Sequence, residues 1–217
     1  MLVSHRYKFI FIKTYKTAGT STEAFFQRYC SSKSDEASYV YRHSADETIT
    51  QHGIVGHRLE GNKGTRRWFN HKSVQSIKSE LGPAIFNSYT KICNIRNPYD
   101  VAVSAYFYNH RKEGNVKLTP QKLESWLKTP HAIRYLNMNK SMWLNPEFEY
   151  EYVRHENIKD DIKRICEKLG INVDSVILPE FKVSPGRTHY RTYYNETSKE
   201  IISKLFIREL KLFNYEF

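Results

Sequence analysis

Long hydrophobic runs are missing from this 217-residue chain, as are repeats and low-complexity segments. Because a membrane-spanning helix needs 18 or more consecutive apolar residues, we expect no membrane span. The first apolar run, residues 9–12, is too short for the core of a signal peptide. These absences predict a cytoplasmic protein.

Cysteine is also scarce, with Cys30, Cys93 and Cys166 widely spaced along the chain. An odd number at such spacings argues against a disulfide scaffold and against a CxxC metal site. Cys93 lies in an apolar run and Cys166 in a helical pattern, so we expect both thiols to be buried. No long glycine- or serine-rich linker divides the chain, and its length predicts a single domain over residues 1–217.

Acidic residues are fewer than basic ones. The chain has 34 Lys and Arg and 23 Asp and Glu, which gives a net charge of +11. Such a surplus favours an anionic partner, for example a nucleic acid, a polyanionic glycan, a phosphate-rich cofactor or a membrane surface. The basic residues are scattered rather than blocked together, which is typical of a solvated surface. No RNP-like, helix-turn-helix or zinc-finger pattern is present, so we expect no nucleic-acid partner.

The order of apolar patterns along the chain predicts an α/β fold. Strands are expected at residues 7–12, 89–95 and 150–154, and residues 31–67 are expected to form a long loop over the active face. Alternating strands and helices imply a central parallel sheet flanked by helices, here as a P-loop-like three-layer fold. Helices are predicted from about Thr20, where Glu23 would complete a capping box, and at 73–81, 98–112, 120–128, 157–169 and 196–213.

The first motif that carries chemistry is Lys16-Thr-Ala-Gly-Thr-Ser21, between the first strand and the first helix. A phosphate at a helix N-terminus needs backbone N–H groups, small residues that permit close approach, and a cation. Gly19 supplies the approach, Lys16 the charge, and Thr17, Thr20 and Ser21 supply hydroxyls. The order of the residues excludes a Walker A loop, whose lysine follows the last glycine.

A second motif, Ile95-Arg-Asn-Pro-Tyr-Asp100, follows the second predicted strand, with Ser104 on the next helix. An arginine fork and a hydroxyl can hold another phosphate. An Arg96–Asp100 salt bridge, with Ser104 as a small packing residue, is an equally good interpretation of this motif alone. Because ligands of parallel sheets bind at the carboxyl ends of strands, both motifs are expected at that edge.

Taken together, the two motifs resemble those of the PAPS-dependent sulfotransferases. Lys16 to Ser21 resembles their 5′-phosphosulfate loop, and Arg96-Asn-Pro-Tyr-Asp100 with Ser104-Ala-Tyr106 resembles their 3′-phosphate motif. The resemblance is strongest to the carbohydrate branch that includes heparan sulfate 2-O-sulfotransferases. It covers most of the chain except residues 31–67 and 116–147, and it includes His71-Lys-Ser73, Leu81-Gly82, Tyr89, Glu156 and the segments 165–171 and 190–194.

The resemblance implies that a sulfuryl group passes from PAPS to an acceptor hydroxyl, with Lys16 stabilising the developing charge and no metal required. The loop Lys16, Thr17, Ala18, Gly19, Thr20 and Ser21 would hold the 5′-phosphate, and Arg96 and Ser104 the 3′-phosphate. Arg187, Tyr190 and Arg191 lie where the family closes a loop over the nucleotide, although exposed loop residues are an equal alternative. The acceptor is expected to be a glycan or a glycosylated metabolite, and a lipid, a small metabolite and a protein tyrosine are open alternatives.

A histidine suits the role of proton acceptor, and His71 is the first candidate because its position matches a family histidine. His57 is the second candidate, and Glu156 is a weaker one that could instead cap the following helix. Lys13 could reach the loop, but a lysine at a strand end is more often solvated. The sequence departs from the family at Tyr15, where a proline usually precedes the loop lysine.

Two other functions remain open at this point. A nucleotide-dependent phosphotransferase would need acidic magnesium ligands near Lys16, and Arg96 stands where the Walker B aspartate would be expected. A non-catalytic module that binds a polyanion would fit the net charge of +11 and the 16 tyrosines. The oligomeric state is not predicted by the sequence.

Overall fold

A computed structural model describes residues 1–41, 46–58, 66–114, 116–140, 148–179, 181 and 186–217. The chain divides into two compact units, Met1–Ile95 with Ser141–Phe181 and Arg96–Lys140 with Lys182–Phe217. A single domain over residues 1–217 therefore stays a prediction. In the described ranges, none of the helices has the length and apolar character needed to cross a bilayer.

The first unit is built on a six-stranded mixed sheet with the strand order β3-β4-β1-β2-β5-β6. Its strands are β1 (Leu2–Ser4), β2 (Phe9–Ile12), β3 (Thr48–Ile49), β4 (Gly53–Val55), β5 (Thr90–Ile95) and β6 (Tyr150–Arg154). The predicted α/β class is confirmed, and each of the three predicted strands is present.

Strands β2, β5 and β6 are parallel, as the sequence predicts. Phe9 pairs with Thr90 and Ile12 with Cys93, while Lys91 pairs with Tyr150 on the other side of β5. The carboxyl ends of these three strands therefore meet at one edge of the sheet. The loop that begins at Lys13 leaves the sheet at this edge.

The remaining strands are antiparallel, so the sheet is mixed and the expectation of a parallel sheet was wrong for this half. β1 pairs antiparallel with β2 and with β4, and β3 pairs antiparallel with β4. Only residues 5–8 separate β1 from β2, and a connection this short joins antiparallel strands. Lys8 takes a left-handed backbone conformation in this turn, with φ 51°.

The prediction of a long loop over residues 31–67 was also wrong where β3 and β4 complete the sheet. Gly53 explains the close fit of β4, because a Cβ there would overlap the carbonyl oxygen of Val3. Both strands are too short to show the alternation that predicts a strand. Residues 42–45 and 59–65, which include Gly61 and Gly64 of the predicted loop, lie outside the described residues.

The helices follow the predicted order with several changes of length. Within the part of the chain that the structure describes, they are α1 (Gly19–Phe26), α2 (Lys33–Glu36), α3 (Val74–Leu81), α4 (Pro83–Ser88), α5 (Pro98–Asn109), α6 (Pro120–Leu127), α7 (Pro130–Asn137), α8 (Ile158–Lys168), α9 (Glu196–Leu205) and α10 (Ile207–Phe213). The predicted final helix is divided into α9 and α10 at Phe206, which leaves helical geometry with φ −115° and ψ 24°.

Both faces of the sheet carry apolar side chains, because successive residues of a strand point to opposite sides. Phe9 and Phe11 of β2 pack on one face with residues of α1 and α8. Ile10 and Ile12 pack on the other face with residues of α3 and α4. All four β2 residues are fully buried, which fixes the point at which the following loop begins.

The three cysteines of the chain all belong to this unit. Cys30, Cys93 and Cys166 are buried free thiols. The burial predicted for Cys93 and Cys166 is therefore confirmed. Cys30 and Cys166 pack in the same apolar cluster as Phe9 and Phe11.

The second unit is helical and has a core of its own, formed by residues of α5, α6, α7 and α9 with Tyr193 and Phe206. Asn97 caps α5 as predicted, since its side chain accepts a hydrogen bond from the Tyr99 N–H at 3.0 Å, and Pro98 is the first helical residue. Helix α5 ends at Asn109 rather than at residue 112, and a 3₁₀ turn over Arg111–Glu113 follows.

Candidate functional site

The loop after β2 joins the buried strand to α1, as the sequence predicts. Helix α1 begins at Gly19, with Ala18 as its N-cap. The N–H groups of Ser21 and Thr22 bond to the Ala18 carbonyl at 3.0 and 3.3 Å, so those of Gly19 and Thr20 precede the hydrogen bonds of the first turn. Such N–H groups and the helix dipole together favour an anion.

The backbone φ angle alternates between positive and negative values along this loop. Lys16 and Ala18 both have φ 61°, whereas Thr17 between them and Gly19 after them have negative φ. Alternating conformations of this kind direct successive N–H groups into one concavity, a nest that binds anions. Each left-handed non-glycine residue costs about 1–2 kcal/mol, so the loop keeps this shape at the expense of stability.

Threonine side chains brace the loop from inside. The hydroxyls of Thr14 and Thr17 lie 2.6 Å apart, and Thr14 donates to the carbonyl oxygen of Asn94 on β5 at 2.8 Å. Asn94 in turn donates to the Thr22 hydroxyl on α1 at 2.9 Å. Thr17 is fully buried, and its hydroxyl is engaged inside the loop by its contact with Thr14.

Gly19 packs closely at the base of the loop. A Cβ at this position would lie 3.0 Å from Cγ of Lys13 and 3.4 Å from the carbonyl oxygen of Thr14. The start of α1 therefore rests directly on the residues that follow β2. Thr20 and Ser21 are nearly buried at the same helix start.

A buried ion cluster lies beneath the loop and corrects two expectations. Glu23 is fully buried, and its carboxylate accepts from Lys13 Nζ at 2.7 Å and from the Met1 amino group at 2.9 Å. It also forms an ion pair with Arg58 at 2.5 Å. Glu23 is therefore not part of a capping box with Thr20. Lys13 is only 4% exposed, so the expectation that it is solvated was wrong.

These cations determine the ionisation of Glu23. Burial by itself would raise the pKa of this carboxyl group, but the Met1 amino group, Lys13 and Arg58 outweigh burial and hold the pKa well below its usual value. Glu23 is consequently a buried carboxylate at neutral pH. Its negative charge offsets that of Lys13 directly beneath the loop.

His71, the first candidate for a base, lies at the root of the loop. Its Nδ1 is 2.9 Å from the carbonyl oxygen of Lys13. A carbonyl oxygen only accepts, so Nδ1 carries the proton and Nε2 carries the lone pair. Its ring stacks on that of Tyr15, with centroids 3.7 Å apart and an angle of 13° between the planes.

The surroundings of His71 keep its imidazole neutral. Burial lowers its pKa to about 3, and the positive charge of Lys13 acts in the same direction. The backbone of His71 is left-handed, with φ 57°, shortly before α3. The ring is therefore held neutral, with its single proton on Nδ1, in the turn that enters α3.

The two alternative bases lie in different surroundings. His57 is almost completely buried, and its backbone pairs with Trp68 and Asn70 at 3.0 and 2.9 Å. Glu156 is exposed in the 3₁₀ turn that follows β6. The N–H of Arg154 at the end of β6 bonds to Asp161 of α8 at 2.8 Å, so Asp161 joins the end of this strand to α8.

In the second unit, Arg96 and Arg187 share one carboxylate. Asp100, in the first turn of α5, accepts from Arg96 Nε at 2.6 Å and forms a close ion pair with Arg187. The salt bridge that the sequence suggested for Arg96 is therefore present. Two guanidinium groups on one carboxylate leave an excess positive charge, which attracts an anion.

Burial lowers the pKa of Arg187 to about 10, and the nearby charge of Arg96 adds to this. The guanidinium group still remains protonated at neutral pH. Ser104 is buried on α5, four residues after Asp100 and on the same side of the helix.

The aromatic part of this group is centred on Tyr190. Its ring stacks on Tyr99 with centroids 6.5 Å apart, and its hydroxyl accepts from the Asn97 amide at 3.3 Å. Arg191 donates to the carbonyl oxygen of Phe217 at 2.6 Å and lies 5.8 Å from the Tyr190 ring. Asn97 thus connects the start of α5 to the segment that contains Arg187 and Tyr190.

The candidate residues therefore fall into two groups. The loop Lys16–Ser21 and His71 belong to the first unit, and Arg96, Ser104, Arg187, Tyr190 and Arg191 belong to the second. Along the chain, Arg96 directly follows the last residue of β5. In the described ranges, no three His, Cys, Asp or Glu side chains converge on a common point.

Comparison with known proteins gives little further information on function. No family model matches the chain. A curated protein of Archaeoglobus fulgidus, described as uncharacterized, is 26% identical over an alignment of 102 residues, and the match covers 44% of this chain and 79% of that protein. A match of this extent does not assign the chain to a family.

Three residues that contact these groups were not identified as functional by the sequence. Lys13 joins the loop, the buried carboxylate and His71; Tyr15 covers one face of the imidazole; and Asp100 holds two arginines together. The contact of Asp100 with Arg96 is indicated by the sequence, because residues four apart on a helix are neighbours. The contacts of Lys13 and Tyr15 with His71 join segments more than 50 residues apart, and no local pattern indicates them.

Proposed function

We propose that this protein is a PAPS-dependent sulfotransferase that acts on a hydroxyl acceptor, with His71 as the base and Lys16 as the catalytic cation. The observation that supports this most directly is the 2.9 Å hydrogen bond from His71 Nδ1 to the Lys13 carbonyl. It brings an imidazole with a lone pair on Nε2 to the root of a loop suited to anions. The resemblance of the two sequence motifs supplies the identity of the donor.

The loop has the donors that a 5′-phosphosulfate group needs. Its alternating backbone from Lys16 to Gly19 offers N–H groups to the phosphate oxygens, and the helix start adds the N–H of Thr20 and the hydroxyl of Ser21. When bound, PAPS supplies an activated sulfuryl group and leaves as PAP. Lys16 would stabilise the negative charge that develops on the leaving phosphate.

His71 would accept the proton of the acceptor hydroxyl at Nε2. A neutral imidazole is needed for this, and burial ensures it by lowering the pKa of His71. An anionic ligand in the neighbouring loop would raise that pKa toward the range in which a base works efficiently. The hydrogen bond at Nδ1 would strengthen as the ring takes up positive charge.

In the second unit, Arg96, Arg187 and Ser104 would hold the 3′-phosphate that distinguishes PAPS from simpler sulfate donors. The excess charge around Asp100 suits a phosphate, and Arg can bind it through two parallel hydrogen bonds. Tyr190 and Arg191 would contact the nucleoside. In this proposal the fold has the three-layer arrangement of P-loop-like proteins, and the acceptor is a carbohydrate.

Ligand-dependent melting tests the proposal without knowledge of the acceptor. PAP in EDTA should stabilise the protein, by about 2.7 kcal/mol at a hundred times its dissociation constant, and ATP should stabilise it less. Lys128→Ala is the matched control for Lys16→Ala. Both variants lose one positive charge, but Lys128 is exposed at the C-terminal end of α6. Lys128→Ala should keep the full response to PAP.

Transfer from labelled PAPS to a panel of glycans then tests catalysis. Lys16→Ala should lose most of the turnover, about 10²–10³-fold, because the developing charge is no longer stabilised. A melting response to Mg-ATP but not to PAP would refute the proposal in favour of a phosphotransferase. A response to sulfated polymers but to neither nucleotide would indicate a non-catalytic module.

A further inference from the structure

Tyr15 occupies a position that the sequence motif does not explain. It lies between Lys13, whose carbonyl oxygen accepts from His71, and Lys16, the first left-handed residue of the loop. Its ring lies 3.7 Å from that of His71 and within 13° of parallel. Tyr15 is partly buried, and the described structure thus places an aromatic side chain of the loop directly on the candidate base.

The two contacts of His71 restrain different motions of its ring. Rotation about the Cβ–Cγ bond of a histidine is broad and weakly restricted, so the side chain needs external restraints to hold one orientation. The hydrogen bond from Nδ1 fixes one edge of the imidazole on Lys13. Stacking on Tyr15 fixes the plane of the ring, because tilting would separate the two faces.

We propose that Tyr15 is a positioning residue that holds the His71 imidazole in the orientation in which Nδ1 is protonated and Nε2 is free to accept a proton. This inference rests on the proposed function, since it assigns the role of Tyr15 through the base. The restraint comes from the face of the ring. Phenylalanine in place of Tyr15 should therefore preserve the orientation of the His71 ring, whereas an aliphatic side chain should not.

A consequence is that a ligand bound in the loop also affects the candidate base. Lys13 and Tyr15 belong to the segment that begins the phosphate loop, and both contact His71. A ligand that restricts the motion of the backbone at Lys16 and Ala18 would also restrict the motion of the His71 ring.

The test compares Tyr15→Leu with Tyr15→Phe in the full chain. Nitrogen-15 NMR of the histidine side chains reports which ring nitrogen of His71 is protonated, with His71→Gln to assign its signals. We expect the Nδ1-protonated form to predominate in the wild type and in Tyr15→Phe. In Tyr15→Leu the ring loses its fixed plane, and we expect the Nε2-protonated form to rise until the two are comparable.

Activity and binding separate positioning from a general loss of structure. In Tyr15→Leu, kcat should fall about tenfold, as expected for a displaced catalytic group, while the melting response to PAP stays within about twofold of wild type in apparent affinity. Tyr15→Phe should restore kcat. An unchanged tautomer in Tyr15→Leu would overturn the inference, and so would equal losses of kcat in both variants.

The same experiment distinguishes failure of this inference from failure of the proposed function. If the wild type transfers no sulfuryl group, the proposed function fails, while the tautomer of His71 in the two variants still decides whether Tyr15 orients the ring. If the melting temperature of Tyr15→Leu is too low for NMR, Tyr15→Met provides a longer aliphatic side chain. The tautomer of His71 in that variant is judged in the same way.

Discussion

Replacing Glu23 by Gln removes the negative charge of the cluster beneath the loop while keeping the size of the side chain. Lys13 and Arg58, whose side chains are 5% and 7% exposed, would then lie buried without this carboxylate. Removing one partner of a buried ion pair costs about 3–5 kcal/mol. At about 2–4 °C of melting temperature per kcal/mol for a chain of this size, we expect a fall of about 6–20 °C.

Urea denaturation followed by circular dichroism measures this loss of free energy of unfolding. Glu36→Gln is the matched control, because Glu36 pairs with Arg6 at 2.8 Å but both side chains are partly exposed. A surface pair of this kind contributes about 0–1 kcal/mol. If Glu23→Gln costs no more than Glu36→Gln, the cluster does not stabilise the fold as its burial implies.

The pH dependence gives a second check on Glu23. Its pKa is lower in the folded protein than its usual value of 4.5, so its ionisation stabilises the fold above that value, and this contribution is lost as the pH falls below it. Between about pH 6 and about pH 3, the wild type should therefore lose more stability than Glu23→Gln. A gap between the two proteins that stays constant with pH would refute the assigned pKa direction.

Three further predictions concern the candidate site. His71→Ala should reduce sulfuryl transfer by about 10²–10⁴-fold and keep the melting response to PAP, and full activity would show that His71 is not the base. Arg96→Lys should weaken PAP binding about tenfold in the same melting assay, since lysine cannot form two parallel bonds to a phosphate, and unchanged binding would remove Arg96 from the site. Ala18→Gly should raise the free energy of unfolding by up to about 1 kcal/mol, because relief of left-handed strain exceeds the added flexibility of the unfolded chain, and a clear loss of stability in urea would contradict the strain argument.

The parts of the fold that the sequence predicts are those with strong local patterns. The buried run at Phe9–Ile12, the Asn97-Pro98 start of α5 and the start of α3 near Ser73 each depend on neighbouring residues. Strand β1 was not predicted, because three residues are too few to show a period. The break at Phe206 was also not predicted, since this residue fits the apolar spacing of a continuous helix.

The candidate site was predicted in its residue types more than in their contacts. The loop motif indicated a phosphate site, but the left-handed conformations of Lys16 and Ala18 are not typical of their residue types. Glu23 fitted a capping box locally, whereas its buried position beside Lys13 and Arg58 decides its actual partners. Tertiary contacts outweighed the local pattern at this position.

The three buried thiols have a practical consequence for experiments on this protein. Cys30, Cys93 and Cys166 are each no more than 3% exposed, and burial raises the pKa of all three. Because maleimides react with accessible thiolates, the native chain should label slowly. A cysteine introduced at Gln75, exposed on α3 shortly after His71, would then carry a fluorophore selectively and report ligand binding in real time.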